Sequence, residues 1–174
     1  AGDSDKLYWL NALGYKLNEL PSGFTKANLS TYATDKRLGA VMHSTPVLLT
    51  QEGQVSVQNN ALVTTNRKDY LMYGSTQGIL HVVNVSTGNE VFGFLPHEMM
   101  VNQKQALLLN DKTTGGMSNL FYGIDAPWVA HTQYTTTKNG LLTVKDSDRT
   151  ETDEDESAAL KGHQWIYGGL RMGG

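Results

Sequence analysis

The sequence contains no cysteine among its 174 residues, which excludes disulfides, thiol catalysis and cysteine-based zinc sites. It has no apolar run long enough to span a bilayer. Its formal net charge of −3 gives no electrostatic basis for binding nucleic acid or an anionic membrane. Only four prolines interrupt the chain, whereas 18 glycines accompany abundant threonine, valine and tyrosine. This composition favours a mainly β fold with many turns.

The stretch Leu71–Pro96 predicts two or three short strands separated by two tight turns. Gly78 and Gly88 supply the positive φ that such turns require, and we predict both as structural turn residues. Apolar residues alternate on both sides of the strand between these turns, which predicts a sheet buried on both faces. The apolar run Val47–Thr50 is the predicted partner strand. Short strands of this kind are typical of stacked sheets, as in a β-propeller blade.

The flanking segments predict two helices, two hairpins and a closing strand. The first helix is predicted within Asp3–Leu17, with Ser4 as its N-cap and Gly14 as its end. The second is predicted to run from Pro96 to about Leu109. Alternating residues predict a hairpin in Gln51–Lys68 and another around the Asn-Gly pair in Gln133–Lys145.

The chain's end predicts a strand over Gln164–Leu170, with Gly168 and Gly169 as further structural turn residues. A closing strand followed by a glycine tail leads us to interpret the chain as a fragment. The three tryptophans, Trp9, Trp128 and Trp165, are predicted as core anchors rather than binding platforms.

An acidic run gives the sharpest candidate for a metal site. Seven of the eleven residues in Asp146–Glu156 are acidic. The candidate calcium ligands are Asp146, Asp148, Asp153 and Asp155. An EF-hand loop starting at Asp146 would need glycine and glutamate where Glu151 and Ser157 stand. The alternative is a solvated insertion extended by repulsion between like charges.

No set of residues predicts catalysis, and no catalytic or cofactor-binding residue is assigned. No two of the five histidines have ligand spacing, and His43 and His81 are interpreted as structural. Ser44 follows His43 directly, so on a strand the two would point to opposite faces and could not form a nucleophile–base pair. There is no Gly-x-Ser-x-Gly elbow. We therefore predict that the chain is not an enzyme.

Four segments, taken in order, resemble the C-terminal β-propeller of the PilY/PilC proteins of type IV pili. They are LGAVMHSTPVLL, YLMYGSTQGILHVVNVSTGNEVFGFLPHEMM, YGIDAPWVAH and WIYGGLRMGG. The resemblance implies part of a quinoprotein-like β-propeller, with short antiparallel blades and one or two short helices. It also implies one domain over 1–174, with a lead-in helix and loop over 1–37 and the first two to three blades, with inserted loops, over 38–174.

The resemblance further implies a secreted protein at the pilus tip or outer membrane of a Gram-negative bacterium, acting in pilus biogenesis and cell adhesion. Its implied partners are pilins, minor pilins and host-surface receptors. No cofactor is implied for this fragment; calcium remains possible in the full-length protein, although the family's Asp-rich calcium loop does not occur here. Two alternatives remain open. One is a quinone-cofactor (PQQ-like) dehydrogenase, whose Thr-Gly repeat occurs once, at Ser86–Phe92. The other is a non-catalytic structural propeller in a surface complex.

Overall fold

The computed structural model describes residues 3–34, 39–108, 121–150 and 159–170. These residues are mainly β with antiparallel sheets and few helices, so the predicted fold class is confirmed at that level. No sheet closes into a barrel or propeller within the described ranges. The strands, in chain order from β1 to β10, are Val47–Gln58, Ala61–Gly74, Leu80–Asn84, Glu90–Phe94, Trp128–Gln133, Thr135–Thr136, Leu142–Thr143, Asp146–Thr150, Ala159–Lys161 and His163–Gly168.

The strands form one large sheet and two small ones. The large sheet has the order β4-β3-β2-β1-β7-β6, and the small ones pair β10 with β5 and β8 with β9. Strands β1 to β4 follow one another as an antiparallel meander. Val47 pairs with Met72 and Thr50 with Asp69, so the predicted partner strand is confirmed.

Both glycine turns of the meander have the predicted geometry. The φ angles of Gly78 and Gly88 are 88° and 70°, in the left-handed region that disfavours a side chain. The two strands of the predicted Gln51–Lys68 hairpin also form, as the distal parts of β1 and β2. Asn59 and Asn60 make its turn with φ angles of 52° and 62°, the pattern of a type I′ turn.

One face of the meander carries the hydrophobic core. Its central cluster contains Leu49, Met72, Leu80, Met99 and Ile124, with Trp128 and Ala130 of β5 packed against it. Gly74 permits this packing, because a Cβ there would lie 2.0 Å from the Ile124 carbonyl oxygen.

The predicted burial on both faces is found only in part: Leu80 and His81, on opposite faces of β3, are both buried, but β1 and β4 are less completely covered. Leu48 in β1 is 53% exposed, and Phe92 and Phe94 in β4 are 54% and 47% exposed. Strand β4 is the edge of the large sheet, so it has a neighbour on one side only within the described residues. The apolar alternation therefore marks which strands join the sheet without fixing how completely each is covered.

Two short helices flank the meander. α1 spans Lys6–Ala12 and α2 spans His97–Asn102, and 3-10 turns occupy Lys26–Thr31 and Lys104–Leu107. α1 is shorter than predicted, and its N-cap is Asp5 rather than Ser4. Gly14 follows its end with a φ of 89°, which is the predicted stop. No helix in the described residues is long and apolar enough to cross a membrane.

The second half of the chain adds short strands around β1 and β5. Gly140 has a φ of 75° in the turn between β6 and β7, so the predicted Asn-Gly hairpin is confirmed. The predicted closing strand exists as β10, paired with β5. Gly168 was predicted as a turn residue, but it is the last residue of β10. A Cβ at Gly168 would lie 2.1 Å from the Trp128 ring, so close ring packing is the reason for glycine there.

Candidate functional site

The distal parts of β1 and β2, residues 51–58 and 61–68, form a hairpin arm whose far end lies away from the core cluster. Val57 pairs with Leu62, and Val55 lies two residues before Val57, so the three side chains share one face of the arm. They are 50%, 69% and 77% exposed for Val55, Val57 and Leu62. A contiguous exposed apolar row is a feature of interaction surfaces.

Charged contacts fix the base of the hairpin arm. Glu52 is buried and forms ion pairs with Lys68 on β2 and with Lys145 after β7. The hydrogen bond from Lys68 is the main cause of the lowered pKa of Glu52, against the opposing effect of burial. Beside this pair, the Tyr134 hydroxyl donates to the Thr50 carbonyl oxygen at 2.6 Å. These contacts tie the arm to β7 and to the chain after β5.

A cavity of about 840 Å³ lies between α1 with its following loop and the face of β2–β4 opposite the core. The helix side contributes Trp9, Leu13 and Tyr15, and the sheet side includes Val83 and Leu95. Its size is within the range of small-molecule and side-chain pockets, and its walls are predominantly apolar. The polar groups of the sheet side are Tyr73, Gln77, His81, Asn89 and Glu90.

Three of these polar residues form one connected group. His81 Nδ1 lies 3.1 Å from Glu90 Oε1, and the His81 imidazole stacks on the Tyr73 ring with centroids 5.3 Å apart. His81 Nε2 is buried and has no hydrogen-bond partner in the described part of the chain. Gly93 leaves the space that the carboxylate occupies, because a Cβ there would lie 2.8 Å from Glu90 Oε1.

The Glu90 carboxylate places negative charge beside His81 and Tyr73. Burial raises the pKa of Tyr73, and the charge of Glu90 raises it further. The tyrosine hydroxyl therefore stays protonated around neutral pH. A histidine held by a carboxylate can act in proton transfer, but no nucleophile contacts His81 among the described residues.

A second buried carboxylate joins separate segments of the chain. Asp125 is fully buried and accepts hydrogen bonds from the backbone N–H groups of Met42, His43 and Ser44. His43 Nδ1 lies 3.0 Å from Asp125 Oδ2. Ser44 Oγ accepts a hydrogen bond from the Gly74 N–H at 2.8 Å. We name this group the Asp125 clamp; its hydrogen bonds hold the segment before β1 against the segment before β5.

Only two of the four predicted calcium ligands lie within the described residues. Asp146 and Asp148 lie on β8, and Asp148 accepts a hydrogen bond from the Lys138 N–H at 2.8 Å. Asp153 and Asp155 lie outside the described residues. The described ranges contain no cluster of three or more histidine, aspartate or glutamate residues able to hold a metal ion. Calcium binding by the acidic run stays a prediction.

The other predicted residues divide between structure and cavity. His43 and Ser44 were predicted to point apart on a strand, but they precede β1 and both contact Asp125. Of the predicted core anchors, only Trp128 packs against the core. Trp9 and Trp165 are 42% and 41% exposed, and Trp9 lines the cavity. Gly169 follows β10, and a Cβ there would meet nothing within 4 Å.

Sequence reasoning did not find Asp125, Tyr73 or Glu90. Asp125 had a visible signal, because it is the only charged residue in the apolar segment FYGIDAPWVA. Glu90 had none, since its position depends on a β-bulge: Val82 pairs with Phe92 whereas Val83 pairs with Glu90. The bulge puts Glu90 and Gly93 on the same face of β4, beside His81.

Comparison of the chain with protein-family models, with characterised proteins and with solved structures finds no match.

Proposed function

We propose that this chain is a non-catalytic surface module of the PilY/PilC type, belonging to the start of a β-propeller and acting in type IV pilus biogenesis and adhesion. Its partners would be pilins, minor pilins or host-surface receptors. The observation that carries the proposal is that the core cluster and the hairpin arm come from different segments of the chain. Every residue of the core cluster, and every partly buried residue packed against it, falls in one of the four segments that resemble the family.

The hairpin arm lies outside those four segments and contributes nothing to the core cluster. Its exposed row of Val55, Val57 and Leu62 is available to a partner, and the ion pairs of Glu52 hold the arm in place. Rigid presentation lowers the entropy that binding costs. We therefore propose the apolar row of the hairpin arm as the partner-contacting surface of the adhesion module.

The test replaces the native gene in a piliated host with one encoding Val57→Ser and Leu62→Ser together. We expect normal secretion of a folded protein and loss of attachment or of surface pili, measured by cell adhesion and by sheared pilin. Val63→Ser is the matched control, because Val63 lies on the opposite face of the same arm. We expect it to leave both readouts unchanged.

Deletion of the whole gene separates the proposed role from the alternatives. We expect the deletion strain to lose pili or attachment and to keep dye-linked oxidation of alcohols and sugars. Unchanged piliation and attachment in that strain would rule out the proposed function. Loss of quinone-dependent oxidation instead would favour the dehydrogenase alternative.

A further inference from the structure

The cavity between α1 and β2–β4 has apolar walls that no residue of the described chain fills. Trp9 of α1 is 42% exposed and Leu13, the residue after α1, is 74% exposed, and both line the cavity. Val83 and Leu95 line it from the sheet side. Burying an apolar stem between these walls removes apolar surface from water on both ligand and protein.

One end of the cavity lining carries a carboxylate oxygen that has no donor among the described residues. Glu90 Oε1 is engaged by His81 Nδ1, whereas Glu90 Oε2 has no hydrogen-bond partner among the described residues. The Glu90 side chain is 46% exposed, so a ligand can reach it. The aromatic rings of Trp9, Tyr15 and Tyr73 also line the cavity, and such rings attract cations.

We propose that this cavity binds a primary ammonium group carried on an apolar stem, with the ammonium at Glu90 and the stem between α1 and β3. This is the chemistry of a lysine side chain, which places its methylenes along apolar surface and its charge at a polar end. A free alkylamine has the same chemistry. The inference rests on the cavity alone and holds whether or not the chain acts in pili.

Protein-observed NMR on the 174-residue chain tests the proposal directly. The probes are the capped tripeptide Gly-Lys-Gly, its norleucine counterpart, its glutamate counterpart and n-pentylammonium. We expect the lysine peptide to shift the amide resonances of Gly88, Glu90 and Gly93. Because norleucine keeps the stem and lacks the charge, we expect its peptide to bind about fivefold more weakly, the effect of a partly exposed ion pair.

Two variants assign the effect to Glu90. Glu90→Gln should weaken binding of the lysine peptide about fivefold and leave binding of the norleucine peptide unchanged. Gly93→Ala should also weaken binding of the lysine peptide. The added Cβ would lie 2.8 Å from Glu90 Oε1 and would therefore displace the carboxylate. Glu98→Gln is the control, since Glu98 is an exposed residue of α2 outside the cavity lining.

Each outcome of these titrations either supports the proposed ammonium site or overturns it. Tighter binding of the lysine peptide than of n-pentylammonium supports a partner's lysine as the source, and the reverse supports a free amine. Equal binding of the lysine and norleucine peptides overturns the proposal, as does tighter binding of the glutamate peptide. Absence of binding by every probe to a chain with a folded NMR spectrum also overturns it.

Discussion

The Asp125 clamp makes a large and specific prediction for the substitution Asp125→Asn. The carboxylate is fully buried, and its oxygens accept from three consecutive backbone N–H groups at 2.7 to 3.1 Å. An asparagine keeps one oxygen but turns an NH₂ group towards these donors. Each hydrogen bond to a charged acceptor contributes about 1.5–3 kcal/mol, and about two are lost. We expect the free energy of unfolding to fall by about 3–6 kcal/mol, which is a large part of the stability of an ordinary domain.

Urea unfolding followed by tryptophan fluorescence measures this change, since Trp128 packs against the core next to the clamp. We expect the midpoint to fall by roughly 2 M with an unchanged slope. Asp148→Asn is the matched control, because Asp148 is exposed and accepts one hydrogen bond from the Lys138 N–H. Its expected cost is below about 1 kcal/mol. A cost for Asp125→Asn within 1 kcal/mol of the control would refute the reasoning.

The same carboxylate predicts a pH dependence with a defined sign. Burial opposes its ionisation, but the hydrogen bonds from His43, Ser44 and Met42 outweigh burial and lower the pKa of Asp125. The unfolded chain then binds a proton at higher pH than the folded one, so stability rises with pH in that interval. The contribution of Asp125 is complete above the unfolded value of about 3.9 and is lost as the pH falls through the folded pKa. Asp125→Asn should remove this acid-dependent part of the stability curve.

Three further predictions concern the meander and its arm. Gly74→Ala should destabilise the chain by more than about 3 kcal/mol in urea unfolding, because the new Cβ meets the rigid Ile124 carbonyl at 2.0 Å; Gly169→Ala, with open space around it, should be nearly neutral. Asn60→Gly should raise the free energy of unfolding by about 0.5–1 kcal/mol, since its φ of 62° suits glycine in a type I′ turn; a loss of stability would contradict that turn. Glu52→Gln should cost about 1–2 kcal/mol at neutral pH and less as the pH falls through the lowered pKa of Glu52, measured by thermal unfolding.

The turns and strand order of the meander could be predicted because they depend on local chemistry. Gly78, Gly88 and Gly140 adopt the positive φ that their turns need. The pairing of Val47–Thr50 with the stretch that begins at Leu71 was predicted from the apolar residues of both segments. These signals depend on residues close together in the sequence, so they do not depend on what packs against the sheet.

Burial and site geometry could not be predicted in the same way, since they depend on contacts between distant segments. Leu48 and Phe92 belong to apolar runs, yet the described chain leaves both more than half exposed. Trp9 was predicted as a core anchor, but it lines the cavity that separates α1 from the sheet. The approach of Glu90 to His81 requires the bulge at β4, and a single extra residue there has no sequence signature.

The arrangement of β3 explains how one strand can serve both folding and binding. Leu80 and Val82 pack in or against the core cluster, whereas His81 and Val83 on the opposite face line the cavity. Because alternate residues face alternate sides, substitutions on the cavity side leave the core contacts of the same strand in place. The hairpin arm separates the two roles along the chain instead: the side chains of Val55, Val57 and Leu62 add nothing to the core cluster and are exposed to water. Exposed apolar residues that do not stabilise the fold favour association, and burial against a partner is the physical role that fits both their chemistry and their position.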